Sequence, residues 1–162
     1  MKLRLSFLVC VVAGALFAPT ALAQKPVIEP YMPEPLEFSA GTVCPFAVRI
    51  ETVSSKASIK TFPDGRQLTT GRTTDRVTNL ITGESVDLTG AGSILSVPLP
   101  NGDLRLIGRG RILIYLFPGD VGGPALIRVT GRVEETLNLG TDTITSFRLS
   151  GKRMDVCAAL AP

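Results

Sequence analysis

The chain has 162 residues, among them 16 glycines, three cysteines and no histidine. The lack of histidine excludes Ser-His and Cys-His nucleophilic catalysis and removes the commonest zinc ligand. The formal net charge is only +3, which argues against the strong basic footprint of a nucleic-acid-binding domain.

The first 23 residues have the three parts of a secretory signal peptide. Lys2 and Arg4 form the charged head, Leu5 to Phe17 the apolar core, and Ala21-Leu22-Ala23 the cleavage site. The core is too short to span a bilayer, and no later stretch reaches the roughly 20 apolar residues of a transmembrane helix. We therefore expect an exported, soluble mature chain without a membrane anchor. Since the signal holds two of the 17 basic residues, 15 remain against 14 acidic ones.

Two of the three cysteines, Cys44 and Cys157, lie after the signal, near the beginning and the end of the remaining chain. Cys10 lies early in the apolar core, which is not the position of a lipidation site. In an oxidising compartment an isolated pair most simply forms a disulfide. Two buried free thiols are the alternative.

Residues 24–43 contain a proline-rich stretch with Pro26, Pro30, Pro33 and Pro35 at short intervals. Prolines remove backbone donors and bias the preceding residues towards extended conformations. We interpret residues 24–43 as a semi-rigid extended arm, followed by a single domain at residues 44–162. The arm also has apolar side chains with which it can pack along that domain.

From Cys44 onward the chain has the alternation and the turn residues of an all-β protein. Pro63-Asp64-Gly65, Thr82-Gly83 and Pro100 to Asp103 are typical of hairpin turns, and Gly90-Ala91-Gly92 indicates a break between strands. No stretch after the signal has a convincing helical period. The predicted strands are Phe46 to Glu51, Ser58 to Phe62, Gln67 to Thr70, Thr73 to Ile81, Glu84 to Leu88, Ser93 to Leu99, Leu104 to Phe117, Ala125 to Glu135 and Thr143 to Gly151.

Eight to ten short strands at close spacing predict an antiparallel meander. A disulfide between Cys44 and Cys157 would bring the first and last strands together. A closed barrel satisfies this condition, and so does a two-sheet sandwich with adjacent terminal strands. We expect an all-β, barrel-like fold, with the β-sandwich as the alternative.

No stretch carries a catalytic or cofactor motif. Gly108-Arg109-Gly110 lacks the third glycine and the helix of a dinucleotide-binding loop, and no S-x-x-K or G-x-S-x-G sequence is present. Carboxylate-pair catalysis stays open, because several acids lie on or beside predicted strands. We expect no cofactor and no metal, and we favour a role other than catalysis. The acids concerned are Asp75, Glu84, Asp87 and Asp103.

Arginines occupy half of the outer face of the strand predicted at Leu104 to Phe117, and the next strand adds two more. If these strands pair, Arg132 comes beside Arg109 or Arg111, and like charges directly opposite destabilise by up to about 1 kcal/mol. Glu134, a carboxylate from another strand, or a bound anion such as a phosphate or an acidic glycan would compensate. An ordinary solvated face has the same pattern. The candidate basic residues are Arg105, Arg109, Arg111, Arg128 and Arg132.

The other half of this outer face is apolar and consists of Leu113, Tyr115 and Phe117. Such a trio is typical of burial under a loop or the arm, of a protein-binding patch, or of a strand buried on both faces in a sandwich. Gly108 and Gly110 indicate a bend, a bulge or close backbone approach in mid-strand. The divided face, basic at one end and apolar at the other, is the candidate binding surface.

Four short stretches resemble, in their order, those of small exported proteins of actinobacteria: FPDGR at 62–66, TNLITGESV at 78–86, NGD at 101–103 and DVCAAL at 155–160. These proteins have a similar Cys-Pro-Phe start and a paired cysteine near the end. The resemblance covers Cys44 to Leu160. It implies a secreted, disulfide-closed β domain, and it carries no functional residues.

Three functions fit these features. The first is a non-catalytic exported domain that binds an anionic small molecule, a glycan or a protein, but not nucleic acid, through the divided face, at the cell envelope or outside the cell. The second is a barrel that binds or isomerises a small apolar ligand, which a dry cavity lined by Leu and Ile would favour. The third is a secreted enzyme inhibitor that presents the loop Pro118 to Pro124.

Overall fold

The computed structural model describes residues 25–161, and the predicted signal peptide at residues 1–23 lies outside the described residues. The described part is almost entirely β-structure, so the predicted all-β class is confirmed. Its elements are β1 (Val27–Tyr31), β2 (Leu36–Phe38), β3 (Val48–Thr61), β4 (Gln67–Asn79), β5 (Ser85–Pro98), β6 (Leu104–Leu116), β7 (Ala125–Asn138), β8 (Thr143–Asp155) and α1 (Val156–Ala159).

The strands form one antiparallel sheet in the order β1-β3-β4-β5-β6-β7-β8, and β2 pairs with β3 beside β1. From β3 onward every strand pairs with its successor in the chain, which confirms the meander. The arm at residues 24–43 contributes β1 and β2, both of which lie along β3. Within residues 25–161, β1 and β8 do not pair with each other, so the sheet is not closed and "barrel-like" describes it only loosely.

A row of glycines crosses the sheet from β4 to β8. Each of these glycines faces the next one across the strand pairs. A Cβ atom at any of the five positions would overlap backbone of the neighbouring strand; at Gly110, for example, it would overlap the carbonyl oxygen of Ala91. Only glycine permits this close backbone approach. The glycine row consists of Gly71, Gly92, Gly110, Gly131 and Gly151.

The strands bend at the glycine row. In a straight strand, residues 108 and 112 are about 13 Å apart. In β6, however, Cδ1 of Ile112 lies 2.5 Å from the point where a Cβ of Gly108 would stand. The Ile112 side chain thus lies close to Gly108, although Gly110 of the glycine row stands between them in the strand. We therefore infer that β6 bends towards the face that carries Ile112.

The predicted break at Gly90-Ala91-Gly92 is wrong, because these residues lie inside β5. In the same way, β3 joins the strands predicted at Phe46 to Glu51 and Ser58 to Phe62, and β4 joins the next two. Glycine normally weakens a strand. Here the strands continue through it because the neighbouring strands place their own glycines opposite and bend together.

Beyond the glycine row, β5 and β6 separate. Their pairing ends at Ala91 and Arg111, while β5 stays paired with β4 and β6 stays paired with β7. The sheet therefore splits into two layers. The first layer comprises residues 48–56, 72–79 and 85–90, and the second comprises residues 111–116, 125–130 and 152–155.

The space between the two layers is filled by the first apolar core. Val48, Val77 and Leu88 of the first layer share one buried cluster with Leu126 of the second and with Val156 of α1. At this end of the molecule the two layers of the single sheet therefore pack face to face, as the two sheets of a sandwich do. The second layer is also buried on its other face, which carries Ile112, Ile114, Ile127 and Val129. This explains why the sequence of β6 is apolar on both faces after Arg111.

The predicted disulfide between Cys44 and Cys157 is present, with a Cα–Cα distance of 5.5 Å. Cys44 precedes β3 and Cys157 lies in α1 after β8, so the bond joins the two layers. A buried hydrogen bond of 2.9 Å from Nδ2 of Asn79 to the Leu160 carbonyl joins them as well. The ends of the domain meet because the layers face each other and not because β3 and β8 pair.

The close approach at the glycine row predicts a large effect of Gly110→Ala. The added methyl group meets fixed backbone of β5, so we expect the free energy of unfolding to fall by about 3 kcal/mol or more. Gly102→Ala is the matched control, because Gly102 also has a positive φ of 87° but nothing lies within 4 Å of its Cβ position. Strain alone should cost the control about 1 kcal/mol. Urea unfolding measures both, and equal losses would contradict the steric explanation.

Candidate functional site

The bend creates a concave face on β6 and β7, where the second apolar core lies. In the pairing of these strands, Ile112 faces Val129, Gly108 faces Val133, and Leu106 faces Glu135. All these positions share one side of the sheet, because paired residues point to the same face and successive pairs alternate. The bend brings the parts before and after the glycine row towards each other on this side.

A cavity of about 270 Å³ lies on the concave face. For comparison, an apolar cavity of roughly 150 Å³ is enough to hold benzene. The absence of a side chain at Gly108 leaves room for Ile112 and Val133, which would otherwise collide with it. Most of the lining is aliphatic, including Ile94, Leu106, Ile112, Ile114, Val133 and Ile144.

Glu135 places a carboxyl group in this apolar lining. It lies on β7 between Leu106 of β6 and Phe147 of β8 and is only 8% exposed. Its Oε1 atom is buried without a hydrogen-bond partner among the described residues. Burial, reinforced by the negative charge of Asp120, raises the pKa of Glu135 to about 7.

Asp120 fixes the loop between β6 and β7 over the start of β8. Its Oδ2 accepts a hydrogen bond of 2.6 Å from the Phe117 amide, and its Oδ1 accepts one of 2.7 Å from the Ile144 amide. A third bond, from the Val121 amide to the Ile144 carbonyl, strengthens this attachment. Asp120 and Phe117 also line the cavity, so the loop forms part of its wall.

Glu135 is not among the candidate residues that the sequence suggested, although the sequence of β7 contains a signal for it. Ile127, Val129 and Val133 lie on the apolar face of β7. Because alternate residues of a strand share a face, Glu135, two residues after Val133, lies on that same face. A charged residue in phase with core positions is a marker of an unusual environment. Its neighbour Glu134 is out of phase and lies on the outer face.

The outer face brings three of the five candidate arginines together. Arg109 faces Arg132 directly in the pairing of β6 and β7. Glu134 accepts hydrogen bonds from Nη2 of Arg105, at 2.7 Å, and from Arg132. These bonds, with the one from Arg105 contributing most, lower the pKa of Glu134. Glu134 thus supplies the compensation that the sequence suggested.

The other two candidate arginines, Arg111 and Arg128, lie beyond the glycine row. Arg111 faces Thr130, and Arg128 faces Leu113. The Nε atom of Arg128 is buried without a hydrogen-bond partner among the described residues. The five arginines therefore do not form one continuous patch.

The apolar half of the candidate surface is largely covered. Leu113 and Tyr115 pack against the first apolar core, and burial raises the pKa of the Tyr115 hydroxyl. Phe38 of β2 contacts Tyr115 and Phe117, with ring centroids 5.9 and 5.6 Å apart. Two of the sequence-based explanations thus apply together, since the strand is buried in a sandwich and the arm covers its end.

A second, more polar cavity of about 110 Å³ lies near the glycine row, where β5 and β6 separate. Asp75 is among its lining residues and accepts hydrogen bonds from Thr52, at 2.6 Å, and from Thr73, at 3.1 Å. Arg111 and Tyr115 lie on the opposite wall. The cavity is less than half as large as the first, and its carboxylate already has partners.

The four acids considered for carboxylate-pair catalysis are not brought to one site. Asp75 and Asp87 lie on opposite faces of the β4–β5 pair, and Asp87 forms a 2.8 Å ion pair with Arg76. Glu84 and Asp103 lie in turns at opposite ends of β5. Their arrangement offers no pair of acids that flank a common cleft.

No family model, curated protein or solved structure matches the chain. Among residues 25–161, no three His, Cys, Asp or Glu side chains lie close enough to hold a metal ion. No helix in that part of the chain is long and apolar enough to cross a membrane. The function must therefore be argued from the geometry of the cavity and of the outer face.

The raised pKa of Glu135 predicts that stability falls as the pH rises. In the unfolded chain a glutamate ionises near 4.5, but in the folded protein this one ionises near 7. Between these values the folded state binds more protons, so the free energy of unfolding decreases with pH, by about 3 kcal/mol in total, and is constant above. Glu135→Gln should therefore stabilise the protein by about this amount near pH 8 and leave it unchanged near pH 4.

Urea unfolding at the two pH values measures this difference. Glu134→Gln is the control, because the neighbouring carboxylate is paired with arginines and its removal should bring no gain near pH 8. A gain for Glu135→Gln that is the same at both pH values would show that ionisation of Glu135 is not the cause.

Proposed function

We propose that this protein is a non-catalytic binding domain that holds a small, mainly apolar molecule in the cavity on the concave face, and that it acts outside the cell or at the cell envelope. The observation that carries the proposal is the cavity itself, about 270 Å³ in volume and lined chiefly by aliphatic side chains. Apolar pockets with a few polar groups are the usual form of small-molecule sites.

The unfilled space beside the apolar lining supports this proposal. Protein interiors are close-packed and contain few voids larger than a water molecule. Here a space of this size stays unfilled beside apolar side chains, although larger side chains at positions such as Leu106 or Val133 would fill it. A ligand that occupies the cavity explains why the space is kept.

The export part of the proposal rests on the signal-like residues 1–23. The disulfide between Cys44 and Cys157 supports it, because disulfides persist chiefly in oxidising compartments. The resemblance to exported actinobacterial proteins, which the four stretches of sequence indicated, is part of the same proposal.

The outer face favours a second function, the binding of an anion. Arg109 and Arg132 face each other, and Arg148 of β8 faces Glu134. With Arg105, four exposed arginines surround one carboxylate. These exposed arginines repel each other, and a bound multivalent anion, such as a sulfated or phosphorylated glycan, would offset that repulsion.

Toluene binding tests the first function. We expect toluene to raise the thermal unfolding midpoint of the purified protein, because a ligand that binds only the folded state stabilises it. Leu106→Phe should abolish this rise, since residue 106 lines the cavity. Ile107→Phe is the matched control, because the adjacent side chain points to the opposite face of the sheet. The proposal fails if toluene leaves the wild-type midpoint unchanged or if both variants lose the effect equally.

Titration with a sulfated oligosaccharide at low salt tests the second function. The double variant Arg109→Ser/Arg132→Ser should bind it at least about tenfold more weakly, because two charge-assisted contacts are lost. Arg111→Ser, beyond the glycine row, should bind it as the wild type does. If the double variant binds with unchanged affinity, the outer face is not an anion site.

A further inference from the structure

The charged side chains that line the cavity all have the same sign. Among the described residues that line it, the ionisable acids are Asp120, Glu135 and Asp142, and neither lysine nor arginine is present. A site enclosed by acids in an apolar surrounding attracts cations and repels anions. The charge of the lining therefore restricts the ligands that the cavity accepts.

The three acids differ in their free hydrogen-bonding capacity. Asp120 is committed to the structure, because each of its oxygens accepts a bond from a backbone amide. Asp142 belongs to the exposed turn before β8. Glu135 alone combines burial with an unpartnered oxygen, Oε1. A buried carboxylate without a partner is costly, and a donor from a ligand in the cavity that Glu135 lines would offset that cost.

From this arrangement we infer that the cavity selects a small apolar molecule that carries a protonated amino group, and that this group binds at the carboxylate of Glu135, which lines the cavity. The inference rests on the proposed ligand-binding function and names its ligand class. An ammonium group donates to the carboxylate of Glu135 and neutralises the buried charge, whereas an alcohol provides only the hydrogen bond. A carboxylate would add a third negative charge beside Asp120 and Glu135.

The same arrangement makes binding dependent on pH. Glu135 has a pKa of about 7, and an ammonium group binds its charged form. The groups that face Glu135 are Asp120 from the loop, Leu106 from β6 and Phe147 from β8, with Asp142 at the cavity wall. Since none of these carries a positive charge, affinity for an amine should rise from pH 6 to pH 8 as Glu135 ionises, and it should fall again only where the amine itself loses its proton.

Three ligands of similar size test the inference: benzylamine, benzyl alcohol and benzoate. In calorimetric titrations near pH 8 we expect benzylamine to bind at least about tenfold more tightly than benzyl alcohol, and benzoate to bind most weakly. Glu135→Gln should remove the tenfold advantage of benzylamine and its dependence on pH, and it should lower the affinity for benzyl alcohol much less. Glu134→Gln, on the outer face, should change none of these affinities.

The outcomes distinguish the inference from the function on which it rests. If benzyl alcohol binds and Leu106→Phe blocks it, but benzylamine binds no more tightly, the cavity is a ligand site and the assignment of an amine is wrong. If benzoate binds most tightly, the assignment is also wrong. If none of the three ligands binds and toluene does not stabilise the protein, both the binding function and the inference fail.

Discussion

The close backbone approach at the glycine row is the constraint on which the rest of the structure depends. Five strands pair glycine against glycine, and a side chain at any of these positions would overlap the neighbouring backbone. Since the strands bend along the same line, the pairs β4–β5, β6–β7 and β7–β8 stay hydrogen-bonded on both sides of the bend, and only β5 and β6 separate there. The bend gives a single sheet two cores, one between the separated layers and one on the concave face. It also gives the sheet a cavity, which a flat sheet of the same strands would lack.

The electrostatics of the site follow from the period of two in β7. Glu134 and Glu135 are adjacent in sequence, but the strand sends their side chains to opposite faces. On the outer face, Arg105 and Arg132 stabilise the carboxylate of Glu134 and lower its pKa. On the concave face, burial and the charge of Asp120 destabilise the carboxylate of Glu135 and raise its pKa. One acid is therefore satisfied within the protein, while the other is left with an unpartnered oxygen beside a cavity.

Local features of the sequence were sufficient for the fold class, the meander, the hairpin turns and the disulfide. Alternation identified the strands, turn residues such as Pro63-Asp64-Gly65 identified their ends, and pairing across the loop placed Arg132 beside Arg109 or Arg111. The bend could not be predicted in this way, because the close backbone approach at a glycine such as Gly92 depends on its pairing with Gly71 and Gly110 in the neighbouring strands. The cavity depends on that bend, so local features of the sequence could not predict it either. Glu135 itself could have been recognised, since it follows the apolar phase of β7, but nothing local showed that an unfilled space lies beside it.

Asp120 links the enclosure of the cavity to its chemistry. Its two hydrogen bonds to backbone amides hold the loop against the start of β8, and its charge contributes to the raised pKa of Glu135. A neutral residue that closed the loop equally well would leave Glu135 ionised at a lower pH and the cavity with less negative charge. The carboxylate of Asp120 therefore does more than fix a loop. It makes the cavity more favourable for a cation, and it does so from a position where its own oxygens are already occupied by the backbone and are not available to the ligand.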